Sequence, residues 1–128
     1  MFESFRGRTV TEGQRVFVYR NLHNGKWSLR AVDGPDRGRV LGHARRVCLR
    51  DAEFTVSEAG RQRVIREQCK NVHAGIVGTW EPDSRVHPAT NVVRYNPYRA
   101  ATFTVGYTNV SVHHAPMVEL DADGRVLV

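Results

Sequence analysis

Short segments of alternating apolar and polar residues, separated by turn sequences, recur along most of the chain and constrain its fold more than any other feature. The clearest example joins residues 15–20 (RVFVYR) to residues 26–32 (KWSLRAV) through Asn24 and Gly25. Alternation with a period of two is typical of β-strands, and an Asn-Gly pair favours a hairpin because both residues tolerate positive φ. The sequence therefore predicts a β-hairpin in this region.

One segment interrupts the β pattern and is typical of a helix. Ser57 can accept a hydrogen bond from a first-turn N–H, and Glu58 favours the positive end of the helix dipole. Arg66 and Lys70 suit the C-terminal end, so we predict a helix over about 57–70. Further strands are predicted at 39–42, 46–49, 52–56, 72–80, 92–95, 101–105, 110–113, 116–120 and 125–128.

These elements together predict an α+β fold, with a strongly curved, mainly antiparallel sheet or small barrel-like β domain and one helix. The 128 residues suit a single domain in which residues 1–13 form a loosely ordered N-terminal segment. Apolar runs are only a few residues long, and the N-terminus lacks the apolar core of a signal peptide. We therefore expect no membrane association and a cytoplasmic location.

The chain is basic, and its charge is unevenly distributed. The formal net charge is +6, and residues 1–70 hold 15 of the 19 Lys and Arg residues against 8 of the 13 Asp and Glu residues. Such asymmetry is typical of proteins that bind polyanions, most often nucleic acid. The alternative is a solvated arginine-rich surface with no specific partner.

Three basic residues of the predicted helix, Arg63, Arg66 and Lys70, follow i, i+3, i+7 spacing and would form a stripe on one side. An exposed stripe of this kind can contact phosphates. The alternative is a solvated surface in which Glu67 pairs with Arg63 at i, i+4. Three further arginines are expected to assist the stripe: Arg45, Arg46 and Arg50.

A second candidate surface lies around the Asn-Pro turn that follows the predicted strand 92–95. Tyr95, Tyr98 and Arg99 fall within five positions of one another. Interleaved aromatic and arginine side chains can stack on bases and neutralise phosphates. The alternative is a tyrosine pair that anchors the turn on the core.

Histidines provide the main enzymatic alternative, a metal-independent ribonuclease. Such an enzyme needs a base, an acid and a cation near the phosphate. No spacing selects one combination, and a lone histidine in a strand, such as His73, more often has a structural role. The available titratable residues are His73, His87, His113 and His114.

Motifs of several other enzyme classes do not occur in the sequence. There is no G-x-x-x-x-G-K-[ST] loop, no zinc-deaminase motif and no G-x-S-x-G nucleophile motif. Cys48 and Cys69 are 21 residues apart and lack the paired spacing of a zinc site. We therefore expect reduced thiols, no metal and no cofactor.

Four segments resemble a group of small phage- and prophage-encoded proteins without an assigned activity. They are VFVYRNLHNGKWSLRA, GRVLGHARRV, SEAGRQRVIREQCKNVHAGIVGTW and RYNPYRAATF, and they span roughly residues 15–103. The resemblance implies an origin in a phage or other mobile element. It transfers no catalytic residue to this chain.

The sequence thus favours a small basic phage or mobile-element accessory protein that binds nucleic acid without catalysis. Two alternatives stay open. One is a protein that binds and modulates a host enzyme or defence system, since an interaction surface leaves little trace in sequence. The other is the metal-independent ribonuclease.

Overall fold

The computed structural model describes residues 2–82 and 91–128, and those residues form eleven β-strands and one α-helix. In chain order the elements are β1 (Phe2–Ser4), β2 (Arg15–Asn21), β3 (Lys26–Ala31), β4 (Val40–Ala44), β5 (Val47–Val56), α1 (Glu58–Glu67), β6 (Ala74–Glu81), β7 (Val92–Arg94), β8 (Phe103–Val105), β9 (Ser111–Val112), β10 (His114–Leu120) and β11 (Val126–Leu127).

The strands form one antiparallel sheet in the order β1-β4-β3-β2-β6-β5-β10-β11-β7-β8-β9. The predicted antiparallel sheet with one helix is confirmed, although the class is mainly β rather than α+β. The predicted closure into a barrel is wrong, because β1 and β9 are the two edges of the described sheet and do not pair with each other. The sheet is nevertheless curved, since the ring of Phe2 in β1 lies 6.0 Å from that of Trp80 in β6.

The predicted first hairpin is confirmed as β2 and β3, which pair from Val16 opposite Ala31 to Asn21 opposite Lys26. Alternate residues of both strands point into the core, where Leu29 is fully buried. The turn is longer than an Asn-Gly pair predicts: residues 22–25 connect the strands. The Asn21 side chain explains this, because its Oδ1 accepts the N–H groups of the second and third loop residues at 2.9 and 3.4 Å.

The next strand differs from the prediction. Residues 46–49 and 52–56 are predicted as two strands, whereas β5 is a single strand of ten residues with a bulge opposite β6. Asp51 lies at the bulge with a φ of 49°, in the left-handed region. The polar pair at positions 50 and 51 interrupts the alternation without ending the strand, because a bulge absorbs the irregularity.

Helix α1 begins as predicted but ends earlier. Ser57 is the N-cap, and its Oγ accepts a 3.2 Å hydrogen bond from the N–H of Gly60. The helix ends at Glu67 because Gln68 adopts a left-handed conformation, with a φ of 50°. The prediction of a helix reaching residue 70 is therefore wrong at its C-terminal end.

Two contacts hold α1 against the body of the protein. Val64 is the buried residue of the helix. The Arg61 guanidinium Nε donates to the carbonyl oxygens of Pro97 and Ala100, at 2.9 and 3.1 Å. The helix is thereby fixed to the turn that follows β7.

The N-terminal segment contains regular structure where the sequence predicts loose order. Residues Phe2–Ser4 form the edge strand β1, paired with β4. Phe5 and Arg8 then exchange backbone hydrogen bonds of 3.3 and 3.0 Å across a tight turn. Val10 is buried in the core, so the segment is attached to the sheet at both of its ends.

Candidate nucleic-acid interface

The predicted stripe on α1 is shorter than three residues and is locally neutralised. Arg63 and Arg66 lie on the helix, whereas Lys70 follows its end. The guanidinium of Arg63 lies 2.8 Å from the Glu67 carboxylate, and that of Arg66 lies 3.8 Å from it. The alternative in which Glu67 pairs with Arg63 thus describes the geometry of this surface.

The three arginines expected to assist the stripe lie far from it. Arg45 and Arg46 precede β5, whereas the helix follows the other end of that strand. The ten residues of β5 span roughly 30 Å at about 3.3 Å per residue, and Arg50 is the fourth of them. Arg46 lies 3.8 Å from Glu119, and Arg50 lies 3.2 Å from Glu81. These arginines do not converge with the basic residues of α1.

The predicted stacking surface divides into a half-buried tyrosine and an exposed turn. The Tyr95 ring stacks on that of Phe103 at 5.0 Å. Tyr98 is 61% exposed, and Arg99 beside it is exposed as well. Tyr98 and Arg99 are therefore open to solvent, whereas Tyr95 packs against the core. The alternative of a tyrosine pair that anchors the turn fits Tyr95 and does not fit Tyr98.

His73 has hydrogen-bond partners for both ring nitrogens. Nδ1 lies 2.9 Å from the carbonyl oxygen of Asn71, which can only accept, so Nδ1 carries the proton. Nε2 lies 2.6 Å from the Tyr95 hydroxyl. Burial raises the pKa of the Tyr95 phenol, which therefore keeps its proton at neutral pH and can donate it to Nε2. This arrangement favours a structural role for His73.

The other candidate histidines give no combined site in the described residues. His113 and His114 are both exposed; His113 lies between β9 and β10, and His114 is the first residue of β10. His87 lies outside the described residues. Within residues 2–82 and 91–128, no three His, Cys, Asp or Glu side chains are grouped closely enough to hold a metal ion.

A different basic surface lies on the side of the sheet that faces away from the core. Phe17 and Tyr19 alternate with core residues along β2, so their half-buried rings project from this outer side. The guanidinium carbon of Arg30, opposite Phe17 on β3, lies 5.8 Å from the centre of the Phe17 ring and 5.1 Å from that of Tyr19. These distances are typical of cation–π contacts.

The tight turn after β1 extends this surface. Arg6 and Gly7 both have positive φ, at 50° and 75°, as a type I′ turn requires. The turn places the guanidinium carbons of Arg6 and Arg8 at 5.1 and 5.8 Å from the centre of the Phe5 ring. The Phe5 ring in turn contacts His43 on the outer side of β4 at 5.4 Å. We call the combined surface the aromatic–arginine face, and it comprises Phe5, Arg6, Arg8, Phe17, Tyr19 and Arg30.

The cations of the aromatic–arginine face are not neutralised by nearby acids. Among the described residues, none of its three arginines forms an ion pair with a carboxylate. The Nε of Arg30 is buried and has no hydrogen-bond partner there. A buried guanidinium N–H without an acceptor is costly, so a local movement that gives Arg30 an acceptor would be favourable.

Sequence reasoning missed this face although one signal for it was present. Val16 and Val18 fill the inner side of β2, so the aromatic residues Phe17 and Tyr19 had to lie on the outer side. Large aromatic residues on the outer side of a strand are typical of a binding surface. The contribution of Arg6 and Arg8 depends on strand pairing and could not be read from spacing.

Helices that could span a membrane are not found in the described part of the chain. Both cysteines are free thiols, Cys48 buried and Cys69 half-buried. Burial raises the pKa of the Cys48 thiol, with the nearby carboxylates of Glu119 and Glu81 acting in the same direction. Cys48 is therefore a poor thiolate nucleophile.

Comparison with known proteins assigns the chain to a phage family. The profile of the family described as Mycobacterium phage L5 gene 82 protein matches residues 9–128. The gene 82 protein of Mycobacterium phage L5 itself is 39% identical over 116 residues, which cover 86% of this chain and 92% of that protein. No solved structure matches the chain. The predicted resemblance to phage-encoded proteins is confirmed, and the chain belongs to the Mycobacterium phage L5 gene 82 protein family.

Proposed function

We propose that this protein binds single-stranded nucleic acid without catalysis, through the aromatic–arginine face. The observation that carries the proposal is the Arg30 guanidinium, which lies over two aromatic rings, has a buried Nε without a partner and forms no ion pair with a described carboxylate. Rings beside uncompensated arginines are the two components that sheet-based single-strand binding uses.

The two kinds of side chain have separate roles in this proposal. Bases of an unpaired strand stack on the exposed parts of Phe17 and Tyr19, since every base has a π-face. Arg6, Arg8 and Arg30 neutralise the phosphates that pass beside those bases. A duplex keeps its bases stacked inside and can use only the charges, so it binds more weakly.

The direct test is a titration of fluorescently labelled single-stranded DNA, single-stranded RNA and duplex DNA, followed by fluorescence anisotropy at several salt concentrations. We expect tighter binding to a single strand than to the duplex. If the three arginines of the face each neutralise one phosphate, the logarithm of the affinity for a single strand falls against the logarithm of the salt concentration with a slope of about −2.

Two matched substitutions assign the binding to one surface. Arg30→Met on the face is expected to weaken binding about tenfold, because it removes a cation that contacts both the phosphates of the nucleic acid and the rings of Phe17 and Tyr19. Arg63→Met on α1, which removes an arginine already paired with Glu67, is expected to change the affinity less than about twofold.

Several outcomes would count against the proposal. Absence of binding at low salt would contradict it and favour the alternative of a host protein partner. Equal losses for the two variants would move the site away from the face. Metal-independent cleavage of the labelled RNA that His73→Ala abolishes would support the ribonuclease instead.

A further inference from the structure

A cleft on the inner side of the β2–β3 hairpin contains a second guanidinium with a buried N–H that has no hydrogen-bond partner among the described residues. The sheet curls so that β2, β3 and β6 face β7, β11 and the turn after β10, which leaves a cleft of about 340 Å³. Small-molecule sites start at about this volume. Arg20 points into this cleft because it occupies an inward position of β2, directly opposite Trp27.

The Arg20 guanidinium has two close neighbours, Trp27 and Gly124. Its carbon lies 5.2 Å from the centre of the Trp27 ring. Gly124 is also close, and a Cβ atom there would come within 3.3 Å of Arg20 Cζ and Nε. A side chain at position 124 would crowd the guanidinium, so the glycine leaves it the space it occupies.

The floor of the cleft is held by hydrogen bonds between distant parts of the chain. Trp27 Nε1 donates a 2.7 Å bond to the carbonyl oxygen of Asp121. The Asp121 carboxylate in turn accepts the N–H groups of Asp123 and Arg125, at 3.0 and 2.8 Å, and so fixes the turn that contains Gly124. The residues around Arg20 are therefore held in place by these hydrogen bonds.

The Nη1 atom of Arg20 is buried and has no hydrogen-bond partner among the described residues. No hydrogen bond to any other Arg20 nitrogen is found there either. No Asp or Glu side chain belongs to the described lining of the cleft, which also includes Arg94 and Arg125, the second of them already paired with Asp121. A desolvated guanidinium N–H that borders a cleft without a carboxylate in its described lining favours an acceptor, and an anionic acceptor most strongly.

The remaining lining is apolar and aromatic. It consists of residues such as Val18, Ile76, Val93, Phe103 and Val126. We propose that this cleft is a binding site for a small amphipathic oxyanion, whose phosphate or carboxylate group accepts hydrogen bonds from Arg20 and whose apolar or aromatic body rests on this lining. The site is distinct from the aromatic–arginine face, because Arg20 occupies an inward position of β2, although Tyr19 of that face also borders the cleft.

Titration followed by two-dimensional ¹H–¹⁵N NMR tests the proposal with defined probes. Phenyl phosphate and 3-phenylpropionate carry the two kinds of oxyanion on the same apolar ring, inorganic phosphate lacks the ring, and phenol lacks the oxyanion. We expect saturable shifts of the Trp27 indole N–H and the Gly124 amide with the first two probes, weaker shifts with inorganic phosphate and none with phenol. The Gly34 amide, which lies in a turn between β3 and β4, is an internal control.

Arg20→Met removes the donor while keeping a linear apolar side chain, and it should weaken the affinity for phenyl phosphate about tenfold or more. Arg20→Lys, which keeps the charge without Nη1, is the second variant and should weaken it as well. Unchanged affinity in either folded variant would overturn the proposal. If neither variant folds, the wild-type protein decides: no saturable shift at Trp27 and Gly124 with either ring-bearing oxyanion at millimolar concentration overturns it.

Discussion

Helix α1 and the aromatic–arginine face are both rich in arginine, but they hold their cations in different ways. On the helix, Arg63 and Arg66 share the carboxylate of Glu67, a close neighbour in sequence. On the face, Arg30 lies over two rings of the adjacent strand and forms no ion pair with a described carboxylate. On the helix a neighbouring carboxylate neutralises the arginines, whereas on the sheet the arginine lies beside aromatic rings.

This difference shows why net charge is a poor guide to a binding surface. An exposed ion pair contributes little to stability, but it lowers the charge available to a polyanion. A cation held on a ring keeps its full charge and is partly desolvated. Binding should therefore follow the arrangement of carboxylates around each arginine, and three predictions test the comparison.

The largest loss of stability is expected at Gly75 of β6, which packs closely against Phe17 and the Val18 backbone of β2. In Gly75→Ala, the new Cβ would lie 2.5 Å from the Val18 carbonyl oxygen and 2.6 Å from Cζ of Phe17. We expect the free energy of unfolding in urea to fall by about 2–3 kcal/mol, as in an overpacked core. Single-strand binding should fall as well, because Phe17 must move.

Gly60→Ala is the matched change on the helix. There the Cβ would lie 2.6 Å from Cβ of His73, but alanine recovers about 1 kcal/mol of helix propensity. We expect a smaller loss of stability than for Gly75→Ala and unchanged nucleic-acid binding. A larger loss at Gly60 would reverse the comparison, because the helix would then be the more tightly constrained region.

The next largest effect on stability distinguishes a buried ion pair from an exposed one with the same i, i+4 spacing. Asp121 and Arg125 are i, i+4 neighbours 2.8 Å apart, as are Glu67 and Arg63, but the Asp121 side chain is 8% exposed and that of Glu67 is 46% exposed. We expect Asp121→Asn to lower the free energy of unfolding by about 2 kcal/mol. Glu67→Gln should lower it by no more than about 0.5 kcal/mol.

The Asp121 carboxylate also makes the free energy of unfolding depend on pH, in a direction that its pKa fixes. Burial alone would raise the pKa of Asp121. The hydrogen bonds from the backbone N–H and the guanidinium of Arg125, together with the positive charge of that guanidinium, outweigh burial and lower the pKa. The ionised Asp121 side chain therefore contributes fully to the free energy of unfolding above about pH 3.9, the pKa of Asp in the unfolded chain. This contribution is lost as the pH falls through the lower pKa that Asp121 has in the folded protein. Asp121→Asn should lack this loss in urea titrations below pH 4; an identical acid dependence would contradict the assignment.

The smallest effect concerns the helix pair itself. A double-mutant cycle with Arg63→Ala and Glu67→Ala should give a coupling free energy of about 0.3–0.5 kcal/mol in low salt, and less in high salt. The same cycle read by nucleic-acid affinity should show that Glu67→Ala strengthens binding slightly, by unmasking Arg63 and Arg66. A coupling above about 1 kcal/mol would mean that the pair is shielded from solvent.

Features set by neighbours in sequence were predictable. The β2–β3 hairpin, the Ser57 N-cap and the possible pairing of Arg63 with Glu67 each depend on residues a few positions apart. The end of α1 was missed because Gln68, a residue without strong preference for the left-handed region, adopts it.

Features set by the pairing of distant segments were not predictable. Arg30 contacts rings through strand register, and Arg8 reaches the Val40 carbonyl, 32 positions away, at 2.8 Å. Trp27 and Asp121 are bonded across 94 positions. No alternation pattern in one strand specifies which strand lies beside it, so the two proposed sites on the β2–β3 hairpin become visible only in the assembled sheet.

The position of β10 has a consequence for the order of folding. β10 pairs with β5 on one side and β11 on the other, so the centre of the sheet joins residues 47–56 to residues 114–120. During synthesis the N-terminal strands can pair early, but β5 presents an unpaired edge until Leu120 has left the ribosome. Such an edge can recruit another chain. We therefore expect slow, concentration-sensitive refolding in which docking of β10 limits the rate.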